Sequence, residues 1–240
     1  GVNGGYRQEF DVTVALTSGP TTALSLDATP VAADAFTPLS FSKSARASGE
    51  IVFAGYGIVA KDKNRDDYAG IDVEGKIVLV RRFVPPGDNF QDADERRYSD
   101  LRYKAFTARE HGALALLVVD LPELAEGVAM PDEAPLPKLS AEQAGDAGLV
   151  IAALKREIGK TLLEGNHAAD LVVELIAERK PSTNVVGRLK SANPQVRPGV
   201  VVLGAHFDHL GHGGASSMAP GSEEIHNGAD DNASGTEIGR

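Results

Sequence analysis

Five short apolar runs separated by turns constrain the fold of this chain more than any other feature. They are "EIVFAGYGI" (50–58), "GKIVLVRRF" (75–83), "GALALLVVD" (112–120), "GLVIAALKREIGKTLL" (148–163) and "ADLVVELIAE" (169–178). Short runs without polar alternation fit strands that are covered on both faces. Between the second and third, "YSDLRYKAFTAREHG" has a helical period. Tyr98, Leu101, Ala105 and Ala108 fall at spacings of 3, 4 and 3, and Gly112 stands where a C-terminal stop belongs. Strand, amphipathic helix and strand together predict an α/β sub-domain from about 45 to 178.

The flanks read differently. Residues 6–27 predict two strands joined by a Ser-Gly-Pro turn, a β-hairpin or the start of a meander, since Phe10, Val12, Val14 and Leu16 alternate and Leu24 and Leu26 repeat the pattern. Residues 28–49 are rich in Ala, Ser, Thr and Pro without a sustained period, which reads as a linker or surface excursion at a domain boundary. After the polar break "ERKPST" come "NVVGRLK" and "GVVVLGAHFDHLG". The second is apolar on both faces up to His206 and predicts a central strand of a covered sheet.

Composition excludes several functions. With 24 Lys and Arg against 34 Asp and Glu, a net charge of -10 lacks the footprint of a nucleic-acid or anionic-membrane binder and suits cationic partners, metal ions included. The chain has no cysteine, so thiol nucleophiles and Cys-ligated metals are excluded and a metal site must use His, Asp and Glu. No apolar run reaches the roughly 18 residues of a membrane span. The start, "GVNGGYRQEF", shows no signal-peptide pattern and reads as processed.

Two motifs carry the chemistry. In "GAHFDHLG", His206 and Asp208 are two residues apart, so a continuing strand points both to one face. An imidazole there can bind a metal through one nitrogen while the carboxylate accepts the proton of the other. Alone, this tripeptide reads better as a strand-end His beside a solvated Asp. Its place at the end of an apolar strand, where open α/β sheets bind ligands, favours the functional reading. Then, 22 residues past Asp208, Asp230 opens "DDNASG". A carboxylate can bridge two cations, and the small residues around Asp230 let the backbone bend closely about them. In isolation the same stretch also reads as an Asx-rich turn or a helix N-cap.

In order and residues, "TNVVGRLK", "GVVVLGAHFDHLG" and "HNGADDNASGT" resemble the M28 family of zinc-dependent metallopeptidases, largely aminopeptidases. "GEIVFAGYGI", "DDYAGIDVEGKIVLVRR" and "YKAFTAREHGALALLVV" resemble the protease-associated (PA) domain inserted in many of them, and "GGYRQEFDV" is similar to their first catalytic-domain strand. The resemblance implies an α/β chain in which a β-rich PA-like α/β domain is inserted into an incomplete M28-type α/β/α zinc-peptidase domain. The N-terminal peptidase strands and linker would take 1–40, the PA-like domain 45–178 and the partial catalytic domain 182–240.

By the same resemblance His206 is a zinc ligand, Asp208 the carboxylate that orients it, and Asp230 the bridge between two Zn2+ ions, while Asp231 holds the turn. His209 and His212 read as loop residues, and His226 as a wall of the site. The implied activity is two-zinc hydrolysis of N-terminal residues from peptide substrates, in a secreted or periplasmic setting. The family places a Glu pair, one further acidic ligand and a last His downstream of these motifs. Glu223 and Glu224 precede Asp230 and read as solvated loop charge, so the expectation is a chain truncated at both ends and inactive as it stands. The alternative is a non-catalytic PA-type module that binds a peptide or protein.

Overall fold

A computed structural model of the chain describes residues 5–86, 90, 92–191, 195, 199–213, 217 and 224–237. They fall into two compact units, Gly1–Val186 and Gly187–Arg240. In chain order the strands of the first unit are β1 (Arg7–Ser18), β2 (Ala23–Leu26), β3 (Thr29–Pro30), β4 (Phe36–Pro38), β5 (Ala45–Phe53), β6 (Val59–Ala60), β7 (Arg65–Asp66), β8 (Ile77–Arg81), β9 (Ala115–Val119), β10 (Val150–Leu154), β11 (Ala168–Val173) and β12 (Leu175–Val185). Its helices are α1 (Asp92–Ser99), α2 (Leu101–Glu110) and α3 (Arg156–Leu162).

One eight-stranded sheet has the order β3, β2, β11, β5, β8, β9, β10, β4. Strands β5, β8, β9 and β10 run parallel, and β11 and β4 flank them antiparallel. The central strands are apolar at nearly every position because both faces are covered. Ile77, Leu79, Leu117 and Ala152 pack with Leu162 of α3, whereas Val78, Val80, Leu116 and Ile151 pack with Ala105 and Ala108 of α2. Leu24 of β2 and Leu171 of β11 join the first cluster, so the sheet curls around it. Burying one such side chain stabilises by about 1.5–3 kcal/mol. The α/β class stands as expected, and each of the five runs supplies a strand, although the second part of the fourth is the helix α3.

Three local expectations need correction. The Ser-Gly-Pro turn forms, with Thr22 N–H donating to Gly19 O at 3.1 Å, but the strands on either side of it do not pair with each other. Strand β1 pairs along its length with β12, and β2 joins β11 and β3 in the large sheet. Alternation predicts strands but carries no information about partners, and here the better partners lie about 150 residues away. The stretch read as a linker supplies β3, β4 and the start of β5, with Phe36, Leu39 and Phe41 buried. Its apolar residues are too sparse to show a period, yet Phe36, Leu39, Phe41 and Ala47 find a place in the core.

The predicted helix, thirdly, is two. Asp100 is extended and caps α2 through its side chain, which accepts from Arg102 N–H at 2.8 Å. Tyr98 therefore leaves the α2 face and packs with Tyr56 and Ile58. Gly112, at φ +84, is the stop that the sequence predicts.

Two buried cations tie the irregular segments down. Arg156 and Asp120 form a buried ion pair at 2.8 Å, and Arg156 also donates to Asp120 O and Pro131 O, both at 2.6 Å. This anchors the long segment after β9 to the start of α3. Lys104 on α2 is fully buried, donates to Tyr56 O and, at 2.8 Å, to Phe83 O, and has its pKa pushed down to about 7 by burial.

The second unit, taken by itself, differs. Val200, Val201, Val202 and Leu203 are 84, 89, 82 and 82% exposed, and no strand forms among its described residues. The expected central strand is thus absent. A strand needs partners for its N–H and C=O groups and cover for its faces, and the described residues of this unit provide neither.

Candidate functional site

The candidate site is built from two stretches of the second unit, 206–213 and 224–237. Ala229–Ala233 form a distorted π-type turn, with Asp231 (φ -121, ψ 82) and Asn232 (φ -140, ψ 46) outside helical geometry, followed by α4 (Ser234–Glu237). The Asp231–Asn232 peptide bond is cis. Side chains hold the bend to itself. Ser234 Oγ donates to Asp230 O at 3.1 Å, Thr236 Oγ1 to Ala233 O at 2.7 Å, and Gly235 N–H to Asn232 Oδ1 at 3.0 Å.

Gly228 is sterically required, and Gly235 leaves room for the Asn232 side chain as it lies. Gly228 sits at φ +62, and a Cβ there would lie 2.6 Å from His209 Cβ. A Cβ on Gly235 would lie 2.2 Å from Asn232 Oδ1. The small residues of "GADDNASG" thus allow both the bend and the approach of a histidine to it.

The turn brings Asp231, not Asp230, to the histidines. His206 Nε2 lies 2.8 Å from Asp231 Oδ1, and His209 Nδ1 lies 3.7 Å from Asp231 Oδ2. Asp208 is on the other side of the same imidazole, with Oδ1 3.6 Å from His206 Nδ1. The predicted pairing of His206 and Asp208 is therefore near but looser than a hydrogen bond. His206 keeps 46% of its side chain exposed and Asp231 73%. His226 faces His209 edge-on at 6.4 Å and lies 3.1 Å from Ser217 Oγ. Its backbone N–H donates to Gly211 O at 2.7 Å, which joins the two stretches. Glu224 is exposed, and Glu223 lies outside the described residues.

Sequence reasoning placed His209 near the site without a role and did not place Asp231 against His206. Adjacent carboxylates point in different directions, and a composition of small residues does not say which one faces inward. The "DD" pair signals only that one of them does.

Imidazole nitrogen and carboxylate oxygen suit zinc, but a catalytic zinc takes about three protein ligands. His206 and Asp231 supply two donors of the right chemistry. Among the described residues, no group of three or more His, Asp or Glu side chains is arranged to hold a metal ion. The described residues therefore do not by themselves make a metal site.

Comparison with known proteins bears on this geometry. Residues 184–238, which span all of it, match the family model of peptidase family M28, and residues 47–162 match that of the PA domain. The two matches cover separate parts of the chain, in the order PA domain, then M28 segment. Among solved structures, the chain is similar to an aminopeptidase from Aneurinibacillus sp. strain AM-1, at 19% identity and TM-score 0.46, over 97% of this chain and 46% of that one. It is similar to BSAP, a zinc aminopeptidase from Bacillus subtilis, at 19% identity and TM-score 0.42, over 74% of this chain and 34% of that one. A peptidase M28 precursor from Shewanella amazonensis SB2B gives 17% identity and TM-score 0.41, over 75% and 40%. The chain thus spans less than half the length of these relatives. No curated protein matches it.

Proposed function

We propose that this chain is part of a zinc-dependent exopeptidase that removes N-terminal residues from peptides, with the M28 segment contributing to its active site. The observation that carries the reading is the close pair of His206 and Asp231, 2.8 Å apart, inside the residues that match the M28 model. We assign His206 and Asp231 as donors to one metal ion and Asp208 as the carboxylate that orients His206. Asp230, the bridge by sequence resemblance, lies next to Asp231 in the bend, where its backbone carbonyl accepts from Ser234 Oγ. A second zinc and a secreted or periplasmic setting rest on the resemblance alone.

The domain limits proposed from sequence are 1–40, 45–178 and 182–240. The pairing of β1 with β12, from Arg7 opposite Val185 to Ser18 opposite Leu175, supports an insertion between the two flanks, although β2, β3 and β4 join the sheet of the inserted part. Among the described residues, no helix is long and apolar enough to cross a membrane.

The test is hydrolysis of leucyl- and alanyl-p-nitroanilide by the full-length protein. Chelator-sensitive activity restored by zinc and lost in His206→Ala and Asp231→Ala is the expected result. Activity that survives chelation, or survives both substitutions, overturns the assignment. A second reading, a non-catalytic PA-type binding module, is favoured by one observation, the lack of any three-donor group among the described residues. It predicts no hydrolysis under any of these conditions.

A further inference from the structure

A cleft of about 550 Å³ opens in the first unit, within the roughly 300–1,000 Å³ usual for small-ligand sites. One wall is a single face of the β1–β12 ribbon, made of Thr13, Leu16, Leu175, Ala177 and Arg179. Thr13 stands directly opposite Arg179, and Leu16 opposite Ala177. The other wall holds Ser40, Ser42, Lys43 and Ser44, beside Ala144, Gly145 and Asp146.

The walls are tied together, so the cleft is a built feature. Ser44 Oγ accepts from Leu175 N–H at 3.0 Å, which pins the seryl wall to the base of the ribbon. Ser42 Oγ accepts from Ile151 N–H at 2.8 Å, and Ser40 Oγ from Ser140 N–H at 2.9 Å. Asp146 Oδ1 is likewise engaged, by Gly148 N–H at 2.7 Å. The three hydroxyls thus fix the seryl wall, Ser44 against the ribbon, and Asp146 caps its own loop. The side chains of Lys43 and Arg179 are not so engaged, and neither has a carboxylate partner among the described residues. Two such cations lining one cleft stand out in a chain of net charge -10. Leu16, Leu175 and Ala177 between them add apolar surface suited to an aliphatic backbone and side chains.

We propose that this cleft is a binding site for the carboxylate of a peptide, with Lys43 and Arg179 as its charge contacts and the ribbon face as its apolar wall. The choice of a peptide, rather than another carboxylate, rests on the exopeptidase reading. An Arg fork takes a carboxylate in a fixed orientation, and Lys adds a mobile point charge.

The test is calorimetric or NMR titration of the chain with acetyl-Ala-Ala-Ala, whose blocked N-terminus keeps binding separate from hydrolysis. Saturable binding is expected, weakened about tenfold or more by C-terminal amidation and by Lys43→Ala with Arg179→Ala. Both residues are exposed, so the thermal midpoint of the double variant should stay at the wild-type value and report that it folds. Acetyl-Ala-Glu-Ala-amide distinguishes the source of the carboxylate. If it binds in a Lys43- and Arg179-dependent way, a side-chain carboxylate serves as well. Equal binding of acid and amide, equal binding by the double variant, or no binding at millimolar peptide overturns the proposal. The p-nitroanilide assay tests the exopeptidase reading on its own, so either can fail without the other.

Discussion

Two apolar runs of this chain are nearly interchangeable in sequence and opposite in fate. "IVLV" at 77–80 is completely buried in β8, whereas "VVVL" at 200–203 is 82–89% exposed and forms no strand. The difference lies in what surrounds them. Strand β8 has β5 on one edge and β9 on the other, with α2 over one face and the curled sheet over the other. The second run has no such neighbours among the described residues. Apolar character therefore states a demand for cover, and only neighbours meet it.

The contrast can be tested by substitution. The largest effect is expected at Arg156, where Arg156→Ala leaves the buried Asp120 carboxylate without its partner and should destabilise the first unit by about 3–5 kcal/mol in urea unfolding. A loss under 1 kcal/mol would mean the pair is effectively solvated. Next, Leu117→Ala, at a fully buried position, should cost about 2–5 kcal/mol. Leu203→Ala, at 82% exposure, should stay within about 0.5 kcal/mol. Equal losses at the two sites would erase the distinction between the units.

In the second unit, Gly228→Ala adds a Cβ against His209 in a left-handed conformation. It should disturb the bend by about 1 kcal/mol or more and shift the imidazole NMR resonances of His206 and His209. The urea transition of the first unit should not move. Unchanged imidazole resonances would show that the bend does not depend on this glycine.

Two pH effects of opposite sign belong to the first unit. Burial lowers the pKa of Lys104 to about 7, below its unfolded value, so the unfolded chain binds more protons between the two values. Stability should rise with pH from about 7 toward 10.5, and Lys104→Met should remove the rise.

His167 acts the other way. Its Nδ1 lies 2.6 Å from Asp27 Oδ2 and its Nε2 3.0 Å from Glu164 O, and the hydrogen bond to Asp27 raises its pKa above the ordinary 6.5. That contribution is complete below pH 6.5 and lost as pH rises through the raised value. The effect is the smallest of the set because solvent screens the pair. Asp27→Asn should abolish it. A midpoint-versus-pH curve that keeps its shape in Asp27→Asn would remove His167 from the account.

Much of this was legible beforehand. The period of Tyr98, Leu101, Ala105 and Ala108 placed a helix, and Gly112 ended it, because these signals act within one or two turns of chain. The break at Asp100 was not legible, since an Asp fits a helix interior poorly but does not forbid one. Phe36, Leu39 and Phe41 escaped notice for a different reason: their burial comes from strands far along the chain. At the candidate site, the nearness of His206 to Asp208 was legible from their spacing. Which of Asp230 and Asp231 lies against His206 was not.

By itself, then, the sequence determined the α/β class and the strand-forming runs, because each follows from local periodicity or from composition. Only the tertiary structure decided that β1 pairs with β12, that residues 28–49 build core, that Asp231 meets His206, and that Lys43 and Arg179 line one cleft. These depend on which distant segments meet, and the free energy of such contacts is not written in any one stretch of chain.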